Sequence, residues 1–96
     1  MVRYGVFDHL DHAVGPLNDL YEMCLALIEN YDAAGFHAYH LAEHHGIKLG
    51  AASSPELFLV AAAQRSACLR LGAMVFFIPL YHPIRLLEAI CMINQI

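Results

Sequence analysis

Two adjacent histidines follow a glutamate in the stretch LAEHHG, and another histidine lies four positions before the first of them. His40, Glu43 and His44 therefore match H-x-x-E-H, in which a helix presents two histidines to zinc and the glutamate acts as general base. Such a site needs a third ligand, and Glu88 is the only acidic residue after Glu56. Because the pattern is short and the chain has seven histidines, a chance match is easy, and zinc hydrolysis is the weaker interpretation.

The second interpretation places the same residues at the end of a strand. If residues 36–43 form the second strand of a parallel sheet, His44 and His45 lie at its carboxyl end, where ligands and catalytic groups collect in α/β folds. Asp8 and His9 follow the first predicted strand in the same way. Histidine at such a position can be a general acid or base. The alternative, histidines that only form surface hydrogen bonds, stays open for each of them.

The elements that must position these residues are indicated by hydrophobic spacing and by start and stop residues. Arg3–Asp8 is a short apolar run typical of a buried strand. Apolar residues at helical spacing predict a helix from Leu17 to Tyr31. Asp19 and Glu22 stand where an N-cap and its capping-box partner would lie, and Gly35 stops the helix.

The second half of the chain repeats this alternation. Residues 46–54 are small and flexible, which predicts a loop, and Ser54 followed by Pro55 predicts a helix start. Residues 57–63 are apolar on every side, so we expect that helix to be buried on more than one face. Residues 71–78 read as a strand buried on both faces, and Pro83 opens a last helix that runs to about residue 93. Strands alternating with helices predict βαβ units and a parallel sheet.

Composition restricts the class of protein. The 96 residues are 59% hydrophobic and 15% charged, with a net charge of −4 and no cluster of Lys or Arg, which argues against a nucleic-acid partner. The longest uncharged run, residues 71–84, contains two prolines, so no segment is expected to span a membrane. The first residues, MVRYGVFDHL, lack a secretory signal, and three cysteines without a C-x-x-C pair indicate reduced thiols in a cytoplasmic protein.

The quoted residues together carry a family resemblance. LAEHHG followed by SSPELFLVAAAQRSACLRLGAMVFFIPLYHPIRLLEAICMINQ closely resembles the luciferase-like flavin monooxygenases, and YGVFDHLD and LIENYDAAGFHAYHLAEHH fit the same pattern. The resemblance runs from Tyr4 to the last residue. It implies an α/β fold made of the first three βα units of a (β/α)8 TIM-type barrel, with parallel strands and an incomplete barrel.

The resemblance also implies chemistry and site residues. The family uses reduced flavin, usually FMN and in some branches a deazaflavin coenzyme, to activate O₂ and oxidise a small organic substrate such as an aldehyde. By the match to the family's E-H-H residues, His44 is the acid/base group and His45 supports the site or the substrate pocket. A non-prolyl cis peptide that lies against the flavin falls on Met74 and Val75. Without the resemblance, both residues would be assigned to the core.

Partners and extent follow from the same resemblance. It implies a separate NAD(P)H:flavin reductase as flavin supplier and a homodimer formed through helices near this region, including the helix predicted for residues 55–67. A complete barrel of this type takes roughly 250 residues, so residues 1–96 are expected to be a single domain from the N-terminal part of a barrel, inactive alone. The alternative is a non-catalytic α/β interaction module or a truncated relic of the enzyme.

Overall fold

The structure, a computed structural model, describes residues 1–48 and 50–96. Three strands alternate with three helices, in the order β1 (Gly5–Asp8), α1 (Leu17–Ala33), β2 (Ala38–Leu41), α2 (Pro55–Ala63), β3 (Arg70–Ala73) and α3 (Pro83–Ile93). A short 3-10 helix, Ile78–Leu80, precedes α3. The predicted order is confirmed. Of the loop predicted for residues 46–54, Leu49 lies outside the described residues.

The strands form one parallel sheet in the order β1-β2-β3. Phe7 pairs with His40 and His40 with Gly72, so the three strands run in step. The carboxyl ends of all three strands therefore meet at one edge of the sheet. This parallel, open sheet with alternating helices is the arrangement of βα units that was predicted.

The hydrophobic core lies between the sheet and the helices. Tyr39 and Leu41, which alternate with His40 along β2, are buried on this side, whereas Phe7 on the other face is 52% exposed. The buried cluster comes from α1, α2, the central strand and the connecting loops: Leu10, Cys24, Leu25, Ile28, Tyr39, Leu41, Ala52, Phe58, Leu59, Ala62 and Leu69. One face of the sheet is thus covered and the other open, which leaves much of the apolar composition at the surface.

The start of α1 differs from the prediction, and its end agrees with it. The helix begins at Leu17 after Pro16, without a side-chain cap, so Asp19 lies in its first turn and the capping box is wrong. A carboxylate in the first turn is still stabilised by the positive end of the helix dipole. At the other end Gly35 has φ 77°, and hydrogen bonds from Gly35 N–H and Phe36 N–H to carbonyls of the last turn close the helix.

Helix α2 begins after Ser54, as predicted, with Pro55 in its first turn. It is buried on one side only, because its buried residues, Pro55, Phe58, Leu59 and Ala62, are spaced three or four apart. Leu57 is 71% exposed, so the expectation of burial on more than one face is wrong. Helix α2 contacts β3, α3 and α1, and its remaining residues other than Leu57 are half-buried.

The third strand is shorter and more exposed than predicted. β3 ends at Ala73, and none of its four residues is fully buried. The core assignment of Met74 and Val75 is wrong, since they are 46% and 62% exposed. The reason is the open sheet face and edge, which nothing in the described part of the chain covers. Over residues 1–48 and 50–96, none of the helices combines the length and the hydropathy that crossing a bilayer requires.

Candidate active site

Polar and aromatic side chains from the ends of all three strands gather at the carboxyl edge of the sheet. His9 directly follows β1, and Glu43, His44 and His45 follow β2. The segment 74–77 follows β3 at the same edge and is tied to β2 by a hydrogen bond from Met74 N–H to the Leu41 carbonyl (2.8 Å). The parallel register brings these segments together although they are about 35 residues apart in sequence.

His44 is held against His9 by a direct contact between their rings. His9 Nδ1 lies 2.8 Å from His44 Nε2, and the ring centroids are 5.1 Å apart with the planes inclined by 23°. One of the two nitrogens donates and the other accepts, according to the tautomer of each ring. The backbone of His44 is fixed as well, since its N–H donates to the Ala52 carbonyl (3.0 Å). His44 thus enters the site with one ring nitrogen engaged and its backbone immobilised.

Glu43 lies beneath the site rather than in it. The residue is 2% exposed. Its Oε1 accepts a hydrogen bond from His45 Nε2 (2.5 Å), and its Oε2 accepts one from Phe77 N–H (2.8 Å). Burial, and next a hydrogen bond to the Glu43 carboxylate, raise the pKa of the Tyr81 phenol. One buried carboxylate therefore joins the end of β2 to the segment that follows β3.

Asp8 fixes the end of β1 in a comparable way. Its Oδ2 accepts a hydrogen bond from the Tyr39 hydroxyl (2.6 Å), and its Oδ1 accepts those of His9 N–H and Leu10 N–H (2.7 and 3.1 Å). Burial, and next the hydrogen bond to Asp8, raise the pKa of Tyr39, so this hydroxyl stays protonated and donates. The Asp8 carboxylate is engaged by these donors and serves to orient the chain that carries His9.

The open side of the site is apolar. Phe7, Met74 and Val75 expose about half of their surfaces, and the ring of Phe7 lies 4.7 Å from that of His9. The peptide bond between Met74 and Val75 is cis, at the position that the family resemblance implies. An exposed apolar surface beside an imidazole fits one side of a planar, partly polar ring system such as a flavin.

His44 also lines a cavity of 330 Å³. His44 and Gly50 line it together with Tyr21 and Ile47, and Lys48 contributes a cationic side chain. Its lining is both apolar and polar, so it can accommodate a small organic molecule next to the imidazole.

The zinc arrangement does not form. His40 lies within strand β2 and Glu43 and His44 follow it, so the two histidines do not share a helix face. Within the ranges 1–48 and 50–96, no three His, Cys, Asp or Glu side chains are grouped so as to hold a metal ion. H-x-x-E-H is here an accident of a strand standing where a helix would be needed.

Sequence reasoning placed His44 and His45 correctly at the strand end but did not assign two residues that contact the site. The predicted site residues do not form one cluster, because His45 turns to Glu43 while His44 turns to His9. His9 was noted at a strand end, and this was the signal for its role. Gly50 gave no signal, since its importance depends on a contact across the loop.

The sequence is similar to those of known proteins. The family model for luciferase-like monooxygenases matches residues 2–96. The uncharacterized protein y4wF of Sinorhizobium fredii is 46% identical over 95 residues, which are 99% of this chain and 28% of that protein. Limonene 1,2-monooxygenase of Rhodococcus erythropolis is 35% identical over 72 residues, 75% of this chain and 19% of the relative. The chain therefore spans less than a third of the length of either relative.

A solved structure shows the same fold. The oxygenating constituent of 3,6-diketocamphane monooxygenase from Pseudomonas putida, a type II Baeyer-Villiger monooxygenase in complex with FMN, superposes with a TM-score of 0.93 at 21% identity. The match covers 99% of this chain and 26% of that one. The three βα units thus correspond to the start of a barrel of this kind.

Proposed function

We propose, since the chain belongs to the luciferase-like monooxygenase family, that it forms part of the active site of a flavin-dependent monooxygenase that oxidises a small, aldehyde-like substrate with O₂. The observation that carries the proposal is the contact of the His44 imidazole with His9, whose own ring packs on Phe7, at the edge of the sheet where Met74 and Val75 are also exposed. Reduced FMN, when bound, would supply the activation of O₂.

The residues of the chain would provide contacts and a proton. Met74 and Val75 would contact the flavin ring through their exposed surfaces. His44 would exchange a proton with the reactants at Nδ1, because its Nε2 is engaged by His9. His45, bonded to the buried Glu43, would support the site by holding the β2 loop against the segment after β3. A deazaflavin coenzyme is the alternative to FMN.

Partners belong to the same proposal. A separate NAD(P)H:flavin reductase would supply the reduced flavin, which is supported by the Pseudomonas putida neighbour being described as an oxygenating constituent. The substrate would enter through the 330 Å³ cavity next to His44. A homodimer would cover part of the exposed apolar surface, of which Leu57 on α2 is an example.

Flavin binding is tested by titrating FMN with the purified chain and following the quenching of flavin fluorescence. The same titration is done with the complete protein that contains this chain, for comparison. In the complete protein, we expect His44→Ala to lower substrate oxidation by about 10²–10⁴-fold and to leave FMN binding within a few fold. Unchanged oxidation would remove His44 from its role. Absence of FMN and deazaflavin binding by both proteins would overturn the monooxygenase proposal and favour a non-catalytic interaction module.

A further inference from the structure

We infer that His9 and Gly50 are positioning residues for the His44 imidazole, His9 through a hydrogen bond and Gly50 through the space that its missing side chain leaves. The inference rests on the proposed function in one respect, namely that His44 is the proton-transfer group. It adds two residues, from the β1–α1 loop and the β2–α2 loop, that nothing in the family match assigns.

The hydrogen bond of His9 determines which nitrogen of His44 remains available. His9 Nδ1 lies 2.8 Å from His44 Nε2, so Nε2 is engaged, and within residues 1–48 and 50–96 Nδ1 is the ring nitrogen left for a reactant. The ring of His9 is itself confined, since the ring of Phe7 packs edge-on at 4.7 Å and the Asp8 carboxylate accepts its backbone N–H at 2.7 Å. His9 is thus a rigid support, and a rigid support holds its partner in one tautomer and one orientation.

Gly50 fixes His44 from the other side. A Cβ placed on Gly50 would lie 2.5 Å from His44 Cδ2 and 2.6 Å from both Cβ and Cγ. These distances are too short for any side chain, and Cβ of His44 cannot move without its backbone. The approach of the His44 imidazole is by itself sufficient to require glycine at position 50.

The loop that carries Gly50 cannot simply move away. Asp11 and Gly50 form an antiparallel bridge, and Ala51 N–H donates to the Leu10 carbonyl at 3.0 Å. The Ala52 carbonyl accepts the N–H of His44 itself at 3.0 Å. The loop is therefore bonded to the chain after both β1 and β2, so it holds the segments of His9 and His44 together while Gly50 packs on the imidazole.

Imidazole ¹H–¹⁵N spectra of the purified chain test the role of His9 without any flavin. His9→Phe keeps an aromatic ring between Phe7 and His44 but removes the nitrogen, and His9→Asn keeps a polar atom close to the position of Nδ1. We expect the His44 Nε2 resonance to move toward that of a free imidazole in His9→Phe and to return toward the native value in His9→Asn. His37→Asn, at the opposite end of β2, is the matched control and should leave His44 unchanged.

Gly50→Ala tests the steric part. We expect it to shift the His44 ring resonances and to remove the nuclear Overhauser cross-peak between the rings of His9 and His44. Gly72→Ala is the matched control, since its Cβ would meet only His40, at an ordinary distance of 3.5 Å. Circular dichroism of each variant establishes that it is folded. If Gly50→Ala does not fold while Gly72→Ala does, the result supports the steric requirement at position 50, and His9→Phe and His9→Asn decide the role of His9.

The outcomes separate this inference from the proposed function. Native His44 resonances in folded His9→Phe, or equal shifts in His9→Phe and His9→Asn, would overturn the positioning role of His9. Native resonances in folded Gly50→Ala would overturn that of Gly50. If His44→Ala leaves oxidation by the complete protein unchanged, the proposed function of His44 fails, while the spectra still report whether the ring is positioned.

Discussion

Asp32 and Glu43 both bind backbone N–H groups next to β3, at opposite ends of that strand and in different surroundings. Asp32, in the last turn of α1, accepts three hydrogen bonds from the backbone of residues 67–69, just before β3, at 2.7–3.0 Å. Glu43, just after β2, accepts one from Phe77 N–H, beyond the other end of β3, and one from His45.

The difference between the two carboxylates lies in their surroundings and in what else they hold. Asp32 is reached by solvent and orders backbone only, so its contribution is to folding. The Glu43 side chain is fully buried and bonds an imidazole of the candidate site as well. The same kind of contact thus stabilises the fold at the amino end of the sheet and builds the site at its carboxyl end. Substitutions at the two positions should separate these roles.

The largest effect is expected from Glu43→Ala. It leaves Phe77 N–H and His45 without their acceptor and opens a cavity, so we expect a loss of about 2–4 kcal/mol of unfolding free energy. Urea unfolding followed by circular dichroism measures it. Glu43→Gln, which keeps the shape and an acceptor oxygen, is the matched variant and should lose less. Equal losses in the two variants would show that the acceptor oxygens of Glu43 are not what stabilises this region.

Asp32→Ala is expected to lose less stability than Glu43→Ala, because two of the three N–H groups that it frees, those of Ala67 and Cys68, belong to exposed residues and can be hydrated. Its histidine spectrum should be native at His44 and His45, whereas that of Glu43→Ala should be altered at His45. The free energy of unfolding of Asp32→Asn, which retains one acceptor oxygen, should lie between those of the native chain and Asp32→Ala when measured with urea. A changed His45 spectrum in Asp32→Ala would break the distinction between the two ends of the sheet.

Asp32 should contribute to the loss of stability in acid. Hydrogen bonds from the N–H groups of Ala67, Cys68 and then Leu69 hold the pKa of this carboxyl below its usual value. Because the carboxyl has a lower pKa in the folded chain than in the unfolded chain, it stabilises the folded state. This contribution is complete above the unfolded pKa of about 3.9, and it is lost as the pH falls through the lower pKa of the folded state. We expect Asp32→Asn to flatten the acid limb of a stability curve measured between pH 6 and about pH 2. An acid limb as steep as that of the native chain would contradict this assignment.

The smallest effect is expected from Arg65→Met. Arg65 forms a bidentate pair with Glu22 and approaches Glu29, linking the end of α2 to α1, but Glu22 is 63% exposed in its side chain. Exposed pairs contribute little and are screened by salt. The difference in thermal midpoint between Arg65→Met and the native chain should be small and should vanish at high ionic strength. A larger loss of stability in Arg65→Met than in Asp32→Ala would contradict the expected order of the two effects.

Much of the fold was predictable because it depends on local signals. Pro55 and Pro83 begin helices at the predicted positions, and Gly35 ends α1 with the positive φ that a glycine accepts at little cost. The capping box was wrong because acidic residues three apart also occur inside a helix, as Asp19 and Glu22 do in the first two turns of α1. The length of β3 was wrong because the apolar run continues past the strand into an exposed segment.

The candidate site was predictable in position but not in contacts. The sequence placed His9, His44 and His45 at strand ends, and parallel strands bring such ends to one edge. It did not indicate that His45 would bond the buried Glu43, two residues before it, instead of facing the site with His44. That choice depends on where Phe77 lies, 34 residues farther along the chain than Glu43.

The sequence by itself determined the alternation of strands and helices, the starts of α2 and α3, the end of α1, and the family, because hydrophobic spacing, prolines and glycines act within a few residues. The tertiary structure alone decided the pairing of His9 with His44, the packing of Gly50 on that imidazole, the burial of Glu43 and the exposure of Met74 and Val75. These contacts join segments that only the parallel register brings together, so no local pattern encodes them.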